Sequence, residues 1–116
     1  MAAKLPPEGN YVAADDVEPV ELWPGIERRT LVWGERMLLA EIWLKKGEVV
    51  PVHRHPHEQI GYVATGKLKF TVGGVAGILG PRAAYIMPSN VEHSVEALED
   101  SIAVDVFSPV RDEYKR

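Results

Sequence analysis

Glycine or proline breaks this chain every few residues, and the punctuation leaves no stretch in which a long helix can form. Pro24-Gly25 opens a first hairpin. Ile26 to Trp33 and Arg36 to Leu44 are rich in β-branched and aromatic residues, and Gly34-Glu35 between them has the form of a tight turn. Lys45-Lys46-Gly47 makes the next break. Val49 to His55, Gln59 to Ala64, Lys67 to Val72 and Val75 to Leu79 then read as strands, separated at Thr65-Gly66 and Gly73-Gly74 and closed by Gly80-Pro81. Ala83 to Met87, His93 to Ala97 and Ser101 to Phe107 complete about nine strands, with a turn near Pro109 to Lys115 as the sole helical candidate. The pattern predicts an all-β antiparallel barrel or sandwich, a fold whose mouth holds small ligands or metals.

Size and charge narrow the class. At 116 residues with 46% apolar content the chain is one domain of ordinary core density. Thirteen basic against 17 acidic residues give a net charge of −4 without a basic stripe, which argues against nucleic acid as a partner. The absence of cysteine excludes disulfides, thiolate zinc sites and a cysteine nucleophile, so any metal ligands are N and O. Without a charged-then-apolar leader or a long apolar run, a cytoplasmic protein with no membrane association is the expectation.

Three of the four histidines, His53, His55 and His57, fall within five residues, and His93 follows the turn Pro88-Ser-Asn90. Imidazole is the commonest neutral ligand of divalent transition metals, and His53 and His55, two apart on an extended segment, project to one side. Gln59 shares their parity. If the strand at His93 pairs beside this one, four N and O donors converge and at least one coordination position stays open. Pro56 favours a bend that puts His57 at the rim, and Glu58, off parity, faces away. On the last strand, alternation sets Ala103, Asp105 and Phe107 on one face, where Asp105 is the lone charge. A carboxylate among valines disfavours a strand, which points to a working general acid or base.

The spacing from Gly47 through His53, His55 and Gln59 to Gly66 resembles the first motif of the cupin family, and Gly80 through Pro88-Ser-Asn90 to His93 resembles the second. Gln59 stands where the commonest form has Glu. Asn90 stands where cupins usually have Gly, a tolerable change because Asn also reaches the left-handed conformation. The strings at 55–62, 88–99 and 105–111 look like the small single-domain cupins of the KdgF type, and the likeness covers roughly residues 20 to 114. The resemblance implies a double-stranded β-helix, or jelly-roll barrel, over 23–116 with a short C-terminal tail. Residues 1–22 are then expected to be an N-terminal arm, exchanged or docked in a homodimer and otherwise fraying at its first ten residues.

It further implies one divalent transition ion per chain (Ni, Zn, Fe, Co or Mn) on His53, His55, Gln59 and His93, with Asp105 and Arg111 catalytic. Phe107, Tyr85 and Tyr62 would contact a sugar-acid substrate. The activity so implied is conversion of 4,5-unsaturated monouronates, from pectin and alginate breakdown, to linear keto-deoxyuronates. The alternatives on the same fold are a metal-dependent dioxygenase and a non-catalytic sugar-binding cupin. Composition adds one argument for a dimer: Met37 to Trp43 is apolar on both faces, more than one barrel interior covers.

Overall fold

The structure, a computed structural model, describes residues 10–115. Among them are ten strands: β1 (Val20–Trp23), β2 (Ile26–Trp33), β3 (Leu38–Leu44), β4 (Val49–His53), β5 (Glu58–Thr65), β6 (Leu68–Val72), β7 (Val75–Leu79), β8 (Ala84–Met87), β9 (His93–Ala97) and β10 (Ser101–Ser108). Two 3-10 turns, Ala14–Asp16 and Asp112–Tyr114, flank them. Every pairing is antiparallel, in a six-stranded sheet ordered β1-β2-β3-β10-β5-β8 and a four-stranded sheet ordered β4-β9-β6-β7. No helix among the described residues is long and apolar enough to cross a membrane.

Alternation along the strands makes the interior. β3 buries Leu38, Ala40, Ile42 and Leu44, and β10 buries Ser101, Ala103, Asp105 and Phe107. Ile42, Leu44 and Ala103 meet Val50, Phe70 and Val95 of the smaller sheet in one apolar cluster, so the two sheets share a core. Removing these side chains from water stabilises the fold by roughly 1.5–3 kcal/mol for each large one. A second cluster, Leu38, Ala40, Phe107 and Tyr114, seats the C-terminal 3-10 turn against the larger sheet.

The turns follow their residues. Gly66 sits at φ +91°, and a Cβ there would run into the Asp100–Ser101 backbone, so the β5–β6 turn admits glycine alone. Asn90, at φ 62°, takes the left-handed conformation expected of it between β8 and β9.

Three element boundaries differ from expectation. Val20–Trp23 pairs with β2 of its own chain, so the larger sheet begins inside the segment read as an arm; residues 1–9 lie outside the described residues. β4 stops at His53, short of His55, because Pro51 and Pro56 remove backbone donors and β4 pairs on one side only, at the edge of its sheet. Its register with β9 shifts between Val50 and His53. Arg36 and Met37 belong to the turn before β3.

Candidate metal centre

Strand pairing brings the histidines together. His53 and His93 are direct register partners on β4 and β9, their ring centroids 4.4 Å apart. His55, in the bend that follows β4, turns its ring to 4.9 Å from His93 and 5.6 Å from His53. One ring nitrogen from each lies within 4.8 Å of the others. The expected convergence is present, although it comes from a proline-induced bend at His55 and not from a continuous strand.

The backbone fixes which nitrogen faces inward. Nδ1 of His53, His55 and His93 each lies 2.9 Å from a carbonyl oxygen, of Pro51, His57 and Val91 respectively. A carbonyl only accepts, so each Nδ1 donates and each neutral ring keeps its Nε2 lone pair free. Burial lowers the His55 pKa to about 4, with help from the charges of Arg111 and His93, and burial likewise lowers that of His93. Both rings are therefore neutral at physiological pH.

Gln59 completes the set. Its amide nitrogen donates to Asp105, which turns Oε1 toward the histidines, 3.1 Å from His55 Nε2. Two lone-pair atoms facing each other, beside a buried His93 Nε2 with no hydrogen-bond partner, make an arrangement that a cation satisfies. The donor set thus fits a divalent transition ion with N and O ligands. His57 stays at the rim, its ring 5.5 Å from that of His55, and its carbonyl orients the His55 ring.

Asp105 is 3% exposed and accepts from the Tyr85 hydroxyl and from Gln59. Burial pushes its pKa up to about 6, although both hydrogen bonds and the Arg111 charge pull the other way. Burial pushes the Tyr85 hydroxyl well above its ordinary value, so it remains a donor. Space for this contact comes from Gly61, the register partner of both residues on β5: a Cβ there would overlap the Tyr85 hydroxyl and the Asp105 carboxylate. Sequence reading passed over Gly61, and a glycine inside a strand was the available signal.

A cavity of about 60 Å³ joins these groups, with His53, Gln59, Tyr85, His93, Asp105 and Arg111 on its polar side and Ile42, Phe70 and Met87 on its apolar side. That is room for several waters or an ion with part of its hydration. Arg111 comes from the segment after β10. Its guanidinium lies 5.3 Å from the Phe107 ring centroid and 4.1 Å from that of Tyr114, and its Nε donates to Glu113 at 3.1 Å. Phe107 is buried, its ring 6.0 Å from that of His55, so it packs between the histidines and Arg111.

Tyr62 is the correction. It is 43% exposed on the outer face of β5, where its register partners are Val104 and Ala84, and it does not line the cavity. Strand parity explains the error: Gln59, Gly61 and Val63 point inward, so residue 62 points out. Arg28 and Tyr114, both buried beside the site, were also missed, because the tail carried no periodic signal and Arg28 lay in a strand read only for its apolar content.

The cupin domain family matches residues 41–108, which spans the whole histidine site. The pectin degradation protein KdgF of Dickeya dadantii is 33% identical over 106 residues, covering 90% of this chain and 96% of that protein. Among solved structures, an RmlC-like cupin from Shewanella frigidimarina superimposes with a TM-score of 0.88 at 26% identity, over 98% of this chain and 99% of the other. KdgF from a Halomonas species superimposes with a TM-score of 0.86 at 31% identity, over 90% of this chain and 97% of that one.

Proposed function

The chain belongs to the cupin family, and on that premise we propose that it is a metal-dependent enzyme of pectin and alginate breakdown that converts 4,5-unsaturated monouronates to linear keto-deoxyuronates. The observation that carries this reading is the position of Asp105. A buried carboxylate, held between Tyr85 and Gln59, opens on the same cavity as His53, His93 and the Arg111 guanidinium. The near full-length similarity to a pectin degradation protein supports the substrate class.

The conversion is an isomerisation. A proton leaves the anomeric hydroxyl, the bond from C1 to the ring oxygen breaks to give an aldehyde, and a proton arrives at C4 of the resulting enol so that C5 becomes a ketone. No atom is gained or lost. His53, His55, Gln59 and His93 would hold a divalent ion, which would supply Lewis acidity, and their neutral side chains would leave its full charge available for that.

The protein's own groups do the rest. Asp105 accepts and returns the proton, and a pKa of about 6 suits a group that must do both near neutral pH. Tyr85 and Gln59 hold the carboxylate by two hydrogen bonds, so it cannot swing out of reach. Arg111 binds the uronate carboxylate, a planar fork meeting a planar anion. Phe107, Phe70 and Met87 form a dry wall that strengthens these charges.

We place the enzyme in the cytoplasm as a homodimer. Support for the dimer is the outer face of β5 and β8, where Ile60, Tyr62 and Ile86 are exposed side by side. The test of function is optical. The unsaturated monouronates absorb in the near ultraviolet through their conjugated enol ether, and metal-loaded protein should speed the loss of that absorbance beyond the spontaneous rate. No acceleration with unsaturated monomers from pectin, alginate or glucuronate-containing chains would remove this reading.

A further inference from the structure

Arg28 is a buried cation without a carboxylate. It stands on the inward face of β2 between Ile26 and Thr30, it is 6% exposed, and its Nε is buried with no hydrogen-bond partner. Among the described residues no ion pair joins it to an acidic side chain. A guanidinium taken out of water unpaired is costly, and an apolar side chain at this position would avoid the penalty.

What Arg28 meets is the ring of Tyr114, whose centroid lies 4.5 Å from its guanidinium carbon. The Arg111 guanidinium lies 4.1 Å from the same centroid. Thr30, next to Arg28 on the inward face of β2, donates its hydroxyl to the Tyr114 backbone carbonyl, so the residue that carries the ring is tied to β2 at a second point. Two cations therefore share one aromatic ring, and the carboxylate bonded to either is that of Glu113, on Arg111 and largely exposed. Both Tyr114 and Arg111 line the cavity. The stack concentrates positive charge on the Arg111 side of a cavity whose wall also carries the Asp105 carboxylate.

We infer that Arg28 is a positioning residue for a carboxylate subsite: through Tyr114 it fixes the Arg111 guanidinium at the cavity wall, and the cation so held selects an acid over its neutral ester. The inference rests on the reading of the ligand as a monouronate. It assigns to Arg28 and Tyr114 the choice between uronic acids and esterified or neutral sugars of the same shape.

The test measures discrimination. Binding of galacturonate and of its methyl ester to the metal-loaded full-length protein is followed by calorimetry, and the ratio of the two dissociation constants is the readout. The wild type should favour the acid. Arg28→Met should cut that preference about tenfold, as the loss of one desolvated cation–π contact and its field implies, while ester affinity falls far less. Arg28→Lys should recover part of the preference, and Tyr114→Phe, which keeps the ring, should recover most of what Tyr114→Leu loses.

An Arg28→Met protein that discriminates as the wild type does overturns this inference alone. So does a Tyr114→Phe protein as impaired as Tyr114→Leu, since the hydroxyl and not the ring would then matter. Failure of both Arg28 variants to fold assigns the residue to the fold and overturns it as well. A wild type that binds acid and ester alike contradicts the monouronate reading itself, and this inference with it.

Discussion

At the scale of single residues the site is a set of acceptors with one buried carboxylate beside it. Three Nδ1–H donors held by carbonyls leave three Nε2 lone pairs inside, and the Gln59 amide faces its oxygen the same way. These candidate ligands were readable because imidazole chemistry and spacing are local facts. Asp105 was readable as a charge on an otherwise apolar strand face. What spacing does not encode is the room a side chain needs, and Gly61 shows it. Gly61→Ala should displace the Tyr85–Asp105 pair, and a misplacement of this kind should lower turnover about 10²-fold while metal content holds, measured by initial rates and elemental analysis. Retention of wild-type turnover would show the pair to be unnecessary.

The same residues set a pH dependence for the metal-free protein. His55 is lowered to about 4 from 6.5, so its contribution to stability is present above the unfolded value and is lost as pH falls through that window. Asp105 is raised to about 6 from 3.8, so it acts in the opposite sense, favouring the folded state more as pH falls. The two slopes offset each other between pH 6 and 4. Asp105→Asn removes the offset, and chelator-treated variant should lose thermal stability on acidification more steeply than wild type. Parallel melting curves across this range would contradict the assigned shifts.

At the scale of elements, the register of β4 with β9 sets His53 beside His93, and that of β10 with β5 sets Asp105 and Phe107 beside Gly61 and Gln59. Period-two alternation carried that information, and it also shows Tyr62 to be external once Gln59 is taken as internal. β1 was hidden because Pro24-Gly25 reads as a beginning, whereas it is the turn of a hairpin whose first strand is only four residues long. The C-terminal turn was hidden for another reason: Tyr114 is held by Arg28 and Thr30 of β2, which lie far away in sequence, and its ring in turn seats Arg111. Between β8 and β9 the turn depends on Asn90 at positive φ. Asn90→Ala should destabilise by about 1 kcal/mol and Asn90→Gly should not, a difference readable in urea melts. Equal midpoints for the two variants would mean that the turn relaxes freely.

At the scale of the whole molecule, alternation divides the larger sheet between a working interior and an apolar exterior. Trp43 on that exterior is covered by the Arg29 guanidinium at 4.4 Å and bonded to Glu41, so part of the outer face is satisfied within the chain. Ile60, Tyr62 and Ile86 are not covered in this way. If this patch is the dimer contact, light scattering should give twice the chain mass for the wild type and the chain mass for Ile60→Asp with Ile86→Lys. A monomeric wild type at micromolar concentration would leave the patch without a partner copy.

The central claim, a buried carboxylate working beside a histidine metal site on an unsaturated uronate, is tested most directly by the rate of near-ultraviolet absorbance loss for metal-loaded wild type against metal-loaded Asp105→Asn. The amide keeps the shape of the side chain and removes its proton exchange, so turnover should fall about 10²- to 10⁴-fold with metal content and melting temperature near those of the wild type. An Asp105→Asn protein that retains metal and turns over at the wild-type rate would contradict it.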